Sequence, residues 1–519
     1  MQNPIAVVIV AVSLLLTLSV AWYSRRWTRT TTEFYVAGGK ISWVANGLAL
    51  IGDYLSAASF LGVAGAVAIF GIDRFWDGLG FFAGYMTVLF VVATALRNTG
   101  KFTVADVLTA RFNSQGIRII SAVTTLIICT FYLVPQIIGA GGLFHLLLGW
   151  DYLFTMLVVG IFMGLYVVLG GMRGTTYNQI IQGVVLWLVM VAIFILITVQ
   201  YFDGNPLQIL YTAQETIPPQ ISQSTPLALP GTPTALTPGV FAQDLPNQIS
   251  FVLALFLGVA GLPHILTRLY TVPSAEDARK SLVLTLSGLA VFYVATCLVG
   301  LAAMILLYPT LMQYLAAGET GVATNMVVPM LSQMVGGEFL MGLAAAGAMA
   351  AMLSTASGLM ISATTCLAHD VYASLLRPRA SQSEQLRFAK VGSAVLSALA
   401  IILAIGLRDQ GISFLVAIAF GLGASTFAPV LILAIWWKNL TKQGVIAGMC
   451  TGLFLSLLFT VAIFLKKPFL LGLPVLVNPA IYSVVGAFGA AVGVSCLTSD
   501  RGVVEEFMAA AHVNVSSKV

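Results

Sequence analysis

Apolar runs of about 20 residues recur along the chain from Ile5 to Cys496, and short polar segments separate them. Each run is long enough to cross a hydrocarbon core of about 30 Å as an α-helix. The alternating segments of about ten residues that a membrane β-barrel requires do not occur in the sequence. The pattern predicts thirteen spans, at residues 4–24, 42–70, 75–96, 117–148, 151–171, 177–200, 247–270, 280–308, 335–366, 388–407, 411–437, 443–465 and 476–498.

Composition excludes a water-soluble protein. Charged residues make up 8% of the 519 positions and hydrophobic residues 59%, whereas soluble domains carry about 25% charged residues. The five cysteines stand singly inside apolar runs, with no spacing typical of a metal site or a disulfide framework. The net charge of +5 follows membrane topology, so we expect no nucleic-acid partner.

The placement of basic residues predicts the orientation. The first apolar run precedes the cluster Arg25, Arg26 and Arg29, the reverse of the order in a secretory signal, so we expect a retained span with its N-terminus outside. Alternation then places all but four of the 24 Lys and Arg residues on the cytoplasmic side, as the positive-inside rule requires. The exceptions are Arg74, Arg408, Lys466 and Lys467.

The connections fit the same orientation. Residues 201–246 contain eight prolines and no Lys or Arg, which predicts an extended external loop with a short surface helix. Residues 309–334, also without basic residues, are predicted to be external. We expect a cytoplasmic tail at 499–519 and a single transmembrane domain over 1–519, with no appended soluble module.

The second span contains a predicted helix break. Glycines, small residues and one carboxylate, Asp53, lie near its middle. Interrupted helices in lipid are tolerated only where they line a cavity or are buried in protein, and a charge at that depth needs a partner. Two interpretations of Asp53 stay open, a functional side chain or a structural carboxylate bonded to a neighbouring helix. In both, we expect unwound backbone around it.

The seventh span contains a second predicted break. Pro263 lacks an amide donor and clashes with the preceding turn. Freed backbone near Gly258 and Gly261 is a candidate for ligand contact, as is His264, for which a satisfied core histidine is the alternative. Counted from the second span, the breaks lie in core helices one and six, as an inverted five-plus-five repeat requires.

The ninth span offers a candidate cation site. Ser354 and Thr355 follow Ala351 by three and four residues, so all three project on one helix face. Two hydroxyls and a freed carbonyl suit a hard cation, which prefers oxygen ligands. The alternative is that each hydroxyl bonds back to its own helix.

Several motifs resemble those of the sodium:solute symporter family over nearly the whole chain. They are FYVAGG at 34–39, GGMRGTT at 170–176 with Gln182, and the Ser354-Thr355 pair. Three others resemble the cation/acetate, or monocarboxylate, branch of that family, namely GDYLSAASFLG at 52–62, GLPHIL at 261–266 and HDVY at 369–372.

The resemblance implies an all-α polytopic protein with a LeuT-like five-plus-five inverted repeat, its N-terminus outside and its C-terminus inside. The ten-helix core would occupy 42–437, with an extra helix at 4–24 and two more at 443–498. It also implies a sodium site between core helices one and eight. The implied ligands are the carbonyls of Ile51, Tyr54 and Ala351 and the hydroxyls of Ser354 and Thr355.

We expect the solute to bind near the midplane between core helices one and six, because a half-helix N-terminus suits a carboxylate. The chain is then expected to be a sodium-coupled symporter in a bacterial inner membrane, importing a small organic anion such as acetate, with proline, another amino acid or a sugar as alternative solutes. The candidate contacts are Asp53, Tyr54, Ser56, Gly258, Gly261 and His264, with Tyr132 and Gln136 of core helix three as side walls.

Other function classes fit less well. A channel would show rings of polar residues along a pore. A membrane sensor acting with a partner protein stays an alternative. For an enzyme, the pair His369 and Asp370 at a cytoplasmic helix end is better explained by contact with the helix C-terminus. We expect sodium as the coupling ion, the lipid bilayer as surroundings, no organic cofactor and no obligatory protein partner.

Overall fold

The computed structural model of the protein describes residues 3–27, 30–224, 233–238, 244–408 and 410–513. The first half of this described chain contains α1 Pro4–Ser24, α2 Thr31–Val36, α3 Trp43–Tyr54, α4 Val63–Phe70, α5 Phe75–Thr87, α6 Ala93–Thr99, α7 Val104–Phe112, α8 Gln115–Leu148, α9 Tyr152–Tyr201, α10 Pro206–Glu215 and α11 Pro219–Ser224. The second half contains α12 Leu245–Gly258, α13 Pro263–Thr267, α14 Ala275–Leu306, α15 Tyr308–Ala316, α16 Thr320–Thr365, α17 Gln382–Gly406, α18 Ile412–Ser425, α19 Phe427–Trp436, α20 Lys442–Phe464, α21 Ala480–Leu497 and α22 Val504–Ala511.

The described residues contain 11 helices long and apolar enough to cross a membrane, and up to 12 if a sharply bent pair is taken as one span. That pair is Thr31–Gly39 with Trp43–Tyr54, bent by 110°. The predicted span 42–70 is divided by a break into Trp43–Tyr54 and the shorter apolar helix Ala58–Phe70. The predicted span 151–171 corresponds to the first part of α9, before Gly171. The protein is therefore a multi-pass, mostly helical membrane protein.

One predicted connection is shorter than expected. We expected a cytoplasmic loop between the spans ending at 171 and beginning at 177, but the two helical stretches of α9 meet at Gly171. That residue alone leaves the helix, with φ 56° and ψ −170°, a conformation open essentially only to glycine. Gly337, with φ 61°, divides α16 in the same way.

The interior is built around α16. This helix packs against α8 and α9, and α9 also contacts α3 and α1. On the other side, α12 packs against α18 and α5. The helices α20 and α21 pack chiefly on each other, beside α18. The two breaks and the cation candidates thus lie inside the bundle.

The predicted external loop 201–246 contains short helices, α10 and α11, as expected of its polar, proline-bounded segments. Its residues 225–232 and 239–243, with Pro226 and Pro230, lie outside the described residues, as do Arg29 and the end of the tail, 514–519.

The all-α prediction needs one small correction. Phe469–Leu470 and Leu473–Pro474 form a two-stranded antiparallel hairpin, β1 and β2, between α20 and α21.

Candidate functional site

The first predicted break is confirmed in the structure. Helix α3 ends at Tyr54, since Leu55 adopts φ −69° and ψ 84° and Ser56 is also outside the helix. The chain resumes as a π-helical turn, Ala58–Gly62, before α4. The carbonyls of the last turn of α3 therefore have few helical amide partners, and the C-terminal end of the helix dipole adds partial negative charge there.

The second predicted break is also confirmed. Helix α12 ends at Gly258, a short 3₁₀ turn covers Val259–Gly261, and Leu262 is extended, with φ −85° and ψ 112°. Pro263 then opens α13 at the position where a missing amide costs least. Both interruptions are buried in protein, which is where lipid permits them.

The two hydroxyls of the cation candidate face the end of α3. Ser354 Oγ donates to the Gly52 carbonyl at 2.6 Å, and Thr355 Oγ1 donates to the Asp53 carbonyl at 2.7 Å. Both hydroxyl residues are fully buried. The alternative in which each hydroxyl bonds back to its own helix is therefore wrong for this structure. Two adjacent hydroxyls of α16 therefore meet two adjacent carbonyls of the last turn of α3.

The carbonyl partners differ from those implied by the resemblance. The hydroxyls bond to Gly52 and Asp53, whereas Ile51 and Tyr54 were expected. The Ile51 carbonyl accepts the Leu55 amide at 2.9 Å and so completes the last helical bond of α3. The buried Ala351 lies one turn before Ser354 on α16. The carbonyls of Ile51, Tyr54 and Ala351 stay predicted sodium ligands.

The Asp53 carboxylate belongs to a buried network. Gln179 Nε2 donates to Asp53 Oδ1 at 2.8 Å and to the Ser354 carbonyl at 2.9 Å. Arg268 Nε lies 3.5 Å from Asp53 Oδ2, and Arg268 also donates to Thr176 Oγ1 at 2.7 Å. The described partners favour the structural interpretation of Asp53, as a charge that joins α3, α9 and the segment after α13.

The sequence analysis did not identify Gln179 or Arg268 as parts of the site. The available signal was Arg268 itself, a cation at the end of a predicted span and so a natural partner for a buried carboxylate. Sequence spacing alone does not show that these elements meet, because 215 residues separate the ion pair.

Two predicted solute contacts carry polar atoms without a hydrogen-bond partner in the described structure. Gln136 is fully buried, and neither its Oε1 nor its Nε2 is bonded. His264 is buried too, and neither ring nitrogen has a hydrogen-bond partner among the described residues. Burying such groups unpaired is costly, which points to a ligand that bonds them.

Tyr132 links these two side chains to the first break. Its ring centroid lies 5.4 Å from that of His264 and 5.6 Å from that of Phe420, both edge-on. Gln136 follows Tyr132 by four residues on α8, so the two share a helix face. The Tyr132 phenol also interacts with the Ser56 hydroxyl.

Three other predicted solute contacts, Gly258, Gly261 and Tyr54, pack closely against neighbouring residues. A Cβ added to Gly261 would lie 2.1 Å from the Gly423 carbonyl oxygen, and one added to Gly258 would lie 2.8 Å from that of Phe420. These glycines permit close approach of α12 and α18. The Tyr54 ring lies 4.5 Å from that of Tyr85, and its hydroxyl donates to the Phe81 carbonyl at 3.1 Å.

Two cavities lie next to this region, at the end of the core that we expect to face outside. One, of about 580 Å³, has Leu61, Gly139, Glu319 and Arg408 among its lining residues. The other, of about 410 Å³, reaches Gly62. Gly139, which lines the first cavity, lies three residues beyond Gln136 on α8.

His369 and Asp370 take part in an ion-pair cluster at the opposite end. His369 Nε2 lies 3.0 Å from Asp106 Oδ1, and Arg118 contacts both Asp106 and Asp370, at 3.1 and 2.5 Å. Burial opposes ionisation of Asp106, but the hydrogen bond and charge of His369 and the charge of Arg118 hold its pKa well below the usual range. The cluster joins α7 and α8 to the end of the long α16 segment.

The oxygen set at the end of α3 fits a small monovalent cation. Hydroxyl and carbonyl oxygens are neutral, hard ligands, and the dipole at the end of α3 favours positive charge. The Asp53 carboxylate, although paired with Arg268, lies beside it. The adjacent unpartnered amide and imidazole provide hydrogen-bond donors for a polar solute.

Comparison with known proteins gives consistent results. A family model described as "Sodium:solute symporter family" matches residues 34–452. The chain is 38% identical over 517 residues to "Uncharacterized symporter YwcA" of Bacillus subtilis (strain 168), covering 97% of this chain and 96% of that protein.

Two solved structures share the fold. A Na⁺-coupled sialic acid symporter, in its substrate-bound outward-open state, aligns with a TM-score of 0.75 at 17% identity, over 96% of this chain and 98% of that one. A nucleobase-cation-symport-1 family transporter, closed around bromovinylhydantoin, aligns with a TM-score of 0.52 at 13% identity, over 93% and 97%. The fold is therefore LeuT-like.

Proposed function

The chain belongs to the sodium:solute symporter family and is a sodium-coupled solute symporter, and we propose that its solute is a short monocarboxylate such as acetate. We infer further that it imports this solute across the inner membrane of a bacterium. The observation that supports the coupling is the pair of hydrogen bonds from Ser354 and Thr355 to the end of α3.

Sodium is proposed to bind at these oxygens as the first step. The ion would replace the hydroxyl protons as the partner of the Gly52 and Asp53 carbonyls, joining α3 to α16. Because an ion can shift a conformational equilibrium only by its differential affinity for the two states, this junction must differ between the outward-facing and inward-facing forms. Asp53 would act as a positioning residue, since Arg268 and Gln179 hold its carboxylate.

The solute is proposed to bond the unpartnered atoms of Gln136 and His264, beside Tyr132. An amide N–H and an imidazole N–H are both donors, which suits a carboxylate. The rings of Tyr132 and Phe420, which contact each other edge-on, would form an apolar wall for the short tail of such a solute. Ser56, whose hydroxyl interacts with Tyr132, would lie beside the solute, and Gly258 and Gly261 would permit the close helix packing behind it.

Energetics distinguish an anionic from a neutral solute. A tenfold sodium gradient supplies about 1.4 kcal/mol per ion, and a potential of about 100 mV adds about 2.3 kcal/mol per net charge moved. One sodium with one monocarboxylate moves no net charge, so accumulation stops near tenfold. Cotransport of one sodium with a neutral solute is driven by both free energies, which permits roughly 500-fold accumulation of the solute.

The test is competition uptake into proteoliposomes containing the purified protein. Acetate, propionate, pyruvate, proline and a neutral sugar are compared with and without an inward sodium gradient, at zero and at inside-negative potential. We expect monocarboxylates to compete and their sodium-driven uptake to be unaffected by voltage. Uptake of proline or the sugar that rises with voltage, with no response to monocarboxylates, would contradict the proposed solute.

A further inference from the structure

Residues 502–513 form a segment that packs across the end of the core that we expect to face the cytoplasm. Helix α22 carries an apolar stripe in which Phe507 and Ala511 are buried. The stripe packs against α6 and α7, at the end of the second core helix and in the connection that follows it. The sequence analysis treated residues 499–519 only as a tail. The spacing Val504, Phe507, Met508 and Ala511 was the overlooked signal of a docked helix face.

The start of this segment is fixed to α7. The Val503 amide donates to the Arg111 carbonyl at 2.9 Å. Gly502 has φ +66°, and a Cβ added there would lie 2.1 Å from the same carbonyl oxygen. The backbones approach too closely for any other residue at this position.

The far end of the segment bridges two other elements. Asn98 Nδ2, at the end of α6, donates to the Val513 carbonyl at 3.2 Å. His512 Nε2 lies 3.0 Å from the Ile435 carbonyl on α19, and its ring lies 4.8 Å from that of Trp436. One short segment therefore contacts helices from both halves of the ten-helix core.

Arg111 completes this junction. Its guanidinium donates to four backbone carbonyls at and beyond the end of α19, those of Ala434, Trp437, Lys438 and Leu440, at 2.5 to 3.2 Å. Burial lowers the Arg111 pKa to about 10, so the group stays charged at neutral pH and complements the helix C-terminus. Arg111 therefore binds both elements. Its carbonyl accepts the Val503 amide, and its guanidinium donates to the end of α19.

We propose that residues 502–513 act as an intracellular strap, which ties α6 and α7 to α19 and slows opening of the core toward the cytoplasm. The strap rests on the proposed function only in that a symporter must open on this side. Rigid-body separation of helix ends requires the contacts between them to break. The strap adds contacts at two such ends, those of α6 and α19. Its release would raise the transport rate.

The first test loosens the strap with Gly502→Ala. We expect sodium-driven uptake to turn over at least twofold faster and amide hydrogen exchange to rise in peptides covering 93–112 and 430–437. Ala509→Ser, at an exposed position on α22, is the control that should change neither. Unchanged exchange and unchanged turnover in Gly502→Ala would overturn the proposal.

The second test tightens the strap. In a chain whose five cysteines are replaced by Ala, Asn98→Cys and Val513→Cys are joined by a short bis-methanethiosulfonate reagent. Uptake should fall at least fivefold and return when reductant removes the bridge, while each single cysteine is insensitive. Full-rate uptake by bridged protein would overturn the strap. Absence of sodium-driven uptake in unmodified protein would instead refute the proposed function, and the exchange measurement would still decide the strap.

Discussion

The Ser354 hydroxyl donates a 2.6 Å hydrogen bond to the Gly52 carbonyl, and this bond joins two helices that lie 302 residues apart in the chain. The Gly52 carbonyl can accept this hydroxyl because α3 ends two residues later, at Tyr54. Thr355 makes the equivalent bond to Asp53, so the broken end of α3 is held by two adjacent residues of α16. A cation bound here would connect the same two elements.

Removing either hydroxyl should weaken sodium dependence. Ser354→Ala and Thr355→Ala each delete one oxygen from the proposed ion site, and we expect the sodium concentration for half-maximal uptake to rise about tenfold, which is about 1.4 kcal/mol. The measurement is solute uptake against sodium concentration in proteoliposomes. Thr364→Ala is the control, because that hydroxyl bonds the Met360 carbonyl of its own helix at 2.7 Å. An equal shift in the sodium dependence of uptake in all three variants would indicate a general packing effect.

Gly358 on α16 should tolerate no side chain. A Cβ there would lie 2.2 Å from Asp53 Oδ1, within the buried network. We expect Gly358→Ala to destabilise the protein by about 1–3 kcal/mol and to abolish uptake, since the carboxylate must shift. Thermal unfolding in detergent measures the first effect. Gly489→Ala is the control, with open space around its added Cβ, and wild-type stability of Gly358→Ala would contradict the packing described here.

Asp53 and Arg268 should be coupled in stability. Asp53→Asn leaves a buried guanidinium with less compensation, and breaking such a pair costs about 3–5 kcal/mol. We expect Arg268→Gln to lower stability by a comparable amount. The double variant Asp53→Asn/Arg268→Gln should be more stable than the less stable of the two single variants. A double-mutant cycle on thermal unfolding gives the coupling energy. Additive effects would mean that the 3.5 Å contact contributes nothing.

Gln136 should matter for the solute and not for folding. Because its amide has no hydrogen-bond partner in the described structure, Gln136→Leu loses no internal bond, and we expect stability to be unchanged or higher. The KM for the solute should rise at least tenfold. Gln182→Leu is the matched control, a buried glutamine that donates to Thr17 Oγ1 at 3.2 Å, and it should show the opposite pattern. Loss of stability with unchanged KM in Gln136→Leu would remove this residue from the solute site.

The helix breaks were predictable because their causes are local. Pro263 cannot continue a helix, and the small residues around Asp53 weaken one. The end of the fifth span at residue 171 was predicted, but the length of the connection was not, because one glycine in an unusual conformation replaces the expected loop while its flanking residues are helical. That Ser354 and Thr355 share one helix face followed from their spacing, whereas their bonding to Gly52 and Asp53 depends on where α3 stops.

Contacts between residues far apart in the chain could not be predicted from the sequence pattern. Arg268 and Gln179 reach Asp53 only because three helices meet there, and no local rule assigns a buried carboxylate to one cation among several. The same holds for Arg111, whose bonds to the end of α19 span more than 320 residues. Such contacts are consequences of tertiary packing.

Direct binding of radiolabelled sodium to the purified protein tests the central claim, that a cation binds between the end of α3 and α16. The comparison is between wild type, Ser354→Ala/Thr355→Ala and the control Thr364→Ala, without solute. We predict saturable binding to wild type and control, and its loss in the double variant at equal folded protein. Equal sodium affinity in the double variant would contradict the site.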